Sequence, residues 1–178
     1  GIGGIILTKE IAQTLTPLIA GGTGSFSHLE TIPTHMPDAF EAGTLNLPGI
    51  IGLNEGLSYI EAVGMKNIHN HELALTKNFL EGLRSITGIN IIGKQDIQDR
   101  TAVVSITIDG MDPASIAYEL ESTYHIMTRV GLHCAPRAHQ TLGTYPEGTV
   151  RFSFGYANTL EEVDMALSAL HTILKNTK

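Results

Sequence analysis

Apolar residues recur along this chain with two different periods, and the places where one period gives way to the other divide it into elements. Ile68, Leu75, Phe79, Leu83 and Ile86 keep to one face at helical spacing, the stripe of an amphipathic helix that ends at Gly88. Ile89 to Ile92 and Ala102 to Ile108 read as strands, the second setting Val104, Ile106 and Ile108 against Val103, Ser105 and Thr107. Asp109-Gly110 turns the chain, and Asp112 as cap with Pro113 at the first helical position opens a helix through Ala117 and Leu120. Ile126 to Val130 reads as a strand leading into a loop that lasts until Gly148. Thr149 to Phe154 alternates again, which puts Arg151 on the opposite sheet face from Val150, Phe152 and Phe154. Thr159 with Glu162 makes a capping box for a last helix whose apolar face carries Val163, Ala166, Leu167, Leu170 and Leu174.

The first third of the chain has a different grain. Ile5 to Leu7 is a short apolar run after glycines, the pattern of a buried strand that needs neighbours to pair with. Pro17 to Pro48 is rich in Gly, Thr, Ser, His and Pro and reads as one long loop, with Gly21-Gly-Thr-Gly-Ser25 and Glu41-Ala-Gly-Thr44 standing out. Pro48 then suits the first turn of a helix that carries Ile51, Gly52, Leu57 and Ile60 and stops near Gly64. A domain boundary is expected at the end of this helix, giving residues 1–60 and 61–178. The second part runs helix, strand, strand, helix, strand, strand, helix, an α+β layer.

With 178 residues and 42% hydrophobic content the chain can bury a real core, in one domain or one and a half. A formal net charge of −7 argues against a basic nucleic-acid groove and against adsorption to anionic lipid, so a small molecule or a protein is the expected partner. One cysteine forms no internal disulfide, which points to a reducing, cytoplasmic setting. No run of about eighteen apolar residues indicates a membrane span. The start at Gly1-Ile-Gly-Gly4, without an initiator Met or a leader pattern, reads as a fragment of something longer.

The segment Arg129-Val-Gly-Leu-His-Cys134-Ala-Pro136 carries the most chemistry. A lone cysteine is most often a small buried hydrophobe, but Gly131 and Pro136 argue for an exposed turn. A protonated His133 or a nearby Arg137 would favour the thiolate form of Cys134, the nucleophilic form. Arg151 is either a surface residue or a planar fork for a carboxylate. The glycine-rich loop lacks the lysine of a nucleoside-triphosphate loop, and Gly43 with Thr44 is either an ordinary turn or a place where phosphate approaches. Among eight histidines, His69 and His71 diverge on a helix, so no metal site is expected. A hydrolase dyad of Cys134 with His139 lacks an evident oxyanion loop or orienting acid.

Taken in order, Glu41-Ala-Gly-Thr44, Pro48-Gly-Ile-Ile-Gly52, the Cys134 segment and Val150-Arg151-Phe-Ser-Phe-Gly-Tyr-Ala-Asn158-Thr159 make the chain resemble the cysteine desulfurases of the class V aminotransferase group, in the selenocysteine lyase-like branch. The resemblance implies an α/β chain that is the C-terminal part of a fold type I transferase dependent on pyridoxal 5'-phosphate. On that reading residues 1–60 are the remnant of the large cofactor domain, and residues 61–178 are a small domain with an antiparallel sheet and helices. It implies conversion of L-cysteine to L-alanine with a persulfide on Cys134, Arg151 gripping the substrate carboxylate with His133 beside it, and Gly43 and Thr44 touching the cofactor phosphate of a neighbouring subunit. A homodimer and a sulfur-acceptor protein, as in iron–sulfur cluster assembly, follow as partners. The family's Schiff-base lysine precedes a Gly-Ile-Gly-Gly segment, and none of Lys9, Lys66, Lys77, Lys94, Lys175 and Lys178 matches its place. The chain alone is therefore expected to be inactive. Competing readings are a selenocysteine lyase, a class V aminotransferase, or a non-catalytic dimerisation domain.

Overall fold

A computed structural model describes residues 1–26, 28 and 30–176 and divides the chain into two compact units, Gly1–Val63 and Gly64–Lys178. Lys178 and Thr177 lie outside the described residues.

The first unit is mostly irregular. It holds a short helix α1 (Lys9–Ala12) capped by Thr8, a 3-10 turn at Asp38–Phe40, and α2 (Leu47–Val63). The strand expected over Ile5 to Leu7 is absent. Ile5 and Ile6 are exposed coil, because no strand among the described residues of this unit offers them backbone partners. Only Ala39 is buried in this unit among the described residues, and α2 leaves Leu47, Ile51, Leu57 and Ile60 exposed. Hydrogen bonds give the loops their shape instead. Asp38 accepts from Ser25 Oγ and lies 3.1 Å from His35 Nε2, while the Gly43 N–H donates to the Gly22 carbonyl at 2.8 Å.

The second unit contains the core. Its elements are α3 (Met65–Arg84), β1 (Ile89–Ile92), β2 (Val103–Ile108), α4 (Pro113–Tyr124), β3 (Arg129–Gly131), α5 (Pro136–Leu142), β4 (Thr149–Ser153) and α6 (Leu160–Asn176). The four strands form one antiparallel sheet in the order β1-β2-β4-β3. Period-two patterning sets its two faces: Val104, Ile106, Ile108, Val150 and Phe152 are buried, and they meet Leu75, Phe79, Leu83, Ile116, Leu120, Val163, Leu170 and Ile173 from α3, α4 and α6. Phe79 is fully buried, with ring centroids 4.9 Å from Phe152 and 5.2 Å from Phe154.

The caps behave as their chemistry requires. Asp112 accepts the Ser115 N–H at 2.9 Å, and Thr159 and Glu162 exchange reciprocal bonds at 3.1 and 3.3 Å. Two expectations need correction. The third strand is only Arg129–Gly131, and the segment before Gly148 is not all loop, since Pro136 starts α5 and Gly143 closes it in a left-handed conformation.

Candidate functional site

Arg151 sits in the middle of an inner strand. It is opposite Ser105 of β2 on one side and Arg129 of β3 on the other, so its backbone is held by two ladders. Its side chain leaves the sheet on the face away from the helical core, as the alternation of β4 requires. The Nε atom is buried with no hydrogen-bond partner. A buried donor without a partner is costly, and a planar carboxylate is the group whose geometry relieves it.

The thiol follows the adjacent strand. β3 ends at Gly131, which pairs with Thr149, and three residues later Cys134 is exposed. His133 and Cys134 have φ of 50° and 60°, two consecutive non-glycine residues in the left-handed region. The Ala135 N–H donates to the Leu132 carbonyl at 2.8 Å, closing the turn around them. Gly148 makes the close approach possible: a Cβ there would lie 2.3 Å from the Gly131 carbonyl carbon and oxygen, and Gly148 has φ of 82°.

His133 is partly buried. Its Nε2 lies 3.3 Å from the hydroxyl of the fully buried Thr149, and its Nδ1 is buried without a partner. Burial first, then the electrostatic effects of Arg151, His139 and Arg129, hold its pKa below the ordinary 6.5. At neutral pH the imidazole is therefore uncharged. This corrects the expectation that a protonated His133 stabilises the Cys134 thiolate, because the same arginines that suit an anionic ligand oppose a proton on this ring.

Sequence reasoning missed two participants, Thr144 and Thr149, and weighed His139 only as a partner for Cys134. His139 on α5 is buried with its Nδ1 2.7 Å from Thr144 Oγ1, its ring 5.8 Å from that of His133, and Thr149 anchors the latter. Pro136 and Gly143 bound α5 and are the signal that could have found it, but nothing local marks Thr144 or Thr149. His139 thus serves Thr144, which does not favour a hydrolase dyad with Cys134. No group of three or more potential metal ligands is found among the described residues, and no helix among them is long and apolar enough to cross a membrane.

Gly43 and Thr44 belong to the first unit. Thr44 is exposed, and Gly43 has φ of 88° with no atom within 4 Å of where a Cβ would stand. The Gly43 N–H is already spent on Gly22. Gly43 therefore contributes an open flank rather than a donor, and Thr44 carries the hydroxyl beside it.

A four-stranded antiparallel sheet with helices on one face, joined to an irregular glycine-rich unit, also occurs in solved enzymes. The apo cysteine desulfurase of Thermococcus onnurineus NA1 superposes with a TM-score of 0.84 at 34% identity, over 94% of this chain and 42% of that one. The cysteine desulfurase CsdA of Escherichia coli gives 0.79 at 26% identity, over 94% and 41%. The architecture is thus part of a fold type I transferase. A family model described as aminotransferase class-V matches residues 1–166, and the chain belongs to that family. Probable cysteine desulfurases of Pyrococcus abyssi and Methanothermobacter thermautotrophicus are 35% and 34% identical over 100% and 97% of this chain. The chain spans 44% of the length of each of them.

Proposed function

We propose that this chain is the thiol-bearing, C-terminal part of a cysteine desulfurase that converts L-cysteine to L-alanine and holds the sulfur as a persulfide on Cys134. The observation that carries the reading is the pairing on neighbouring strands of an exposed thiol at the end of β3 and an arginine on β4 whose buried Nε lacks a partner. The relatives named above support the substrate class. Arg151 binds the substrate carboxylate with its planar fork, and the uncharged His133 flanks it without competing for that anion. The Cys134 sulfur then forms an S–S bond to the substrate sulfur as the substrate C–S bond breaks. The bonding pair stays with carbon, which takes up a proton to complete L-alanine, and Cys134 keeps the terminal sulfur.

Pyridoxal 5'-phosphate fits the residues present in one respect: the open flank of Gly43 and the exposed Thr44 hydroxyl leave room for a phosphate. When bound, that cofactor supplies an electron sink for the carbon that loses sulfur. In this reading Gly43 and Thr44 serve a neighbouring subunit's cofactor, which makes the protein a homodimer, and a sulfur-acceptor protein relieves Cys134 of its cargo. Residues 1–60 then belong to the large cofactor domain and residues 61–178 to the small one. None of the six lysines fits the family's Schiff-base position, so turnover belongs to the longer protein and not to these 178 residues alone.

In the full-length protein, Cys134→Ala is expected to abolish sulfide release from L-cysteine. Sulfide release at the parental rate by a folded variant would remove Cys134 from the reaction. Turnover confined to selenocysteine, or amino-group exchange with a keto acid, would reassign the substrate.

A further inference from the structure

Two imidazoles frame the cysteine loop, and the reaction proposed above uses none of their hydrogen bonds. His139 on α5 is 6% exposed, and two bonds tie it to a single residue: its Nδ1 lies 2.7 Å from Thr144 Oγ1, and the Thr144 N–H donates to its carbonyl at 2.9 Å. Its ring is therefore fixed. His133 faces it with ring centroids 5.8 Å apart and planes tilted by 55°, and reaches across to Thr149 at the start of β4. His133 is also the first of the two residues in the left-handed region, and Cys134 is the second. Left-handed conformations at non-glycine residues persist only where surrounding contacts hold them.

We propose that His139 is a positioning residue for the cysteine loop: held by Thr144, it props His133 against Thr149 and so keeps residues 133 and 134 left-handed with the thiol turned to solvent. The clamp is sensitive to protons. Arg151 from β4, Arg129 from β3 and His139 from α5 are the groups that, after burial, oppose a proton on His133. A proton on His133 would place a cation beside Arg151 and Arg129 and loosen the loop.

Cys134 is the chain's only cysteine, and alkylation of its peptide by iodoacetamide reports the loop without substrate or cofactor. The test compares the full-length protein with His139→Gln, Thr144→Val and Thr144→Ser. Alkylation is followed from pH 5.5 to 8.5, and 15N NMR of the imidazoles reads the tautomer and titration of His133. Loss of the Thr144–His139 bond is expected to change the alkylation rate by about fivefold and to shift the His133 titration. Thr144→Ser, which keeps a hydroxyl, is expected to retain the parental profile. If His139→Gln does not fold, Thr144→Val decides. A folded variant with parental alkylation and parental His133 titration overturns the proposal. Sulfide release separately reads the desulfurase assignment, so the two ideas fail independently.

Discussion

Gly148→Ala tests whether the approach of the two strands beneath Cys134 is as tight as the geometry says. The added Cβ would stand 2.3 Å from the Gly131 carbonyl carbon and oxygen and 2.6 Å from its Cα, all backbone atoms that no rotamer change can move. That is about 1.5 Å inside ordinary van der Waals contact. Relief requires β3 to part from β4 where Gly131 pairs with Thr149, with a left-handed φ imposed on alanine as well. Overpacking, the φ penalty and a weakened ladder bond together cost about 3–5 kcal/mol. Against a total stability of about 5–15 kcal/mol, this is a large fraction. Gly143→Ala is the matched control, since Gly143 also has a positive φ of 71° but open space around it, and it should lose only about 1 kcal/mol. The chain has no tryptophan, so urea unfolding is best followed by far-UV circular dichroism. If Gly148→Ala is no less stable than Gly143→Ala, the account of how Gly131 and Gly148 seat the loop is wrong.

Arg151→Lys in the full-length protein should raise KM for L-cysteine by about 10–100-fold, because an ammonium replaces a planar fork; an unchanged KM would place the carboxylate elsewhere. Phe79→Ala, which removes a fully buried ring from against Phe152 and Phe154, should cost about 3–5 kcal/mol in denaturant unfolding; a loss under about 1 kcal/mol would contradict the packing. His133 has a folded-state pKa below its ordinary 6.5, so the unfolded chain binds its proton first. The stability gained by keeping it neutral is present above pH 6.5 and lost as pH falls through the lowered folded value. His133→Asn should flatten that part of the stability–pH curve, and an identical curve would show that His133 is not buried as described.

Most of the second unit was legible because its core uses simple periods. Val104, Ile106 and Ile108 alternate and are buried; Leu75, Phe79 and Leu83 repeat at helical spacing and are buried; and the Asp112 and Thr159 caps act where their side chains demand. Short-range rules failed where tertiary neighbours decide. Ile5 to Leu7 has strand composition and, among the described residues of its unit, no strand to join, while Pro136–Leu142 is too short to show a helical stripe. The exposure of Cys134 followed from its flanking Gly131 and Pro136. The charge state of His133 did not, because it depends first on burial and then on Arg151, His139 and Arg129, which reach it only through the tertiary fold, the two arginines through the register of β3 on β4. Thr149 and Thr144 were invisible for the same reason.

The left-handed turn at His133 and Cys134 also limits which replacements can be interpreted. Val, Ile or Thr at position 134 would strain the backbone as well as remove the sulfur, since branching at Cβ disfavours positive φ. Alanine and serine tolerate the turn better, and asparagine, which visits this region readily, suits it best. A mutational survey that scored only size and polarity at position 134 would therefore confuse chain shape with sulfur chemistry.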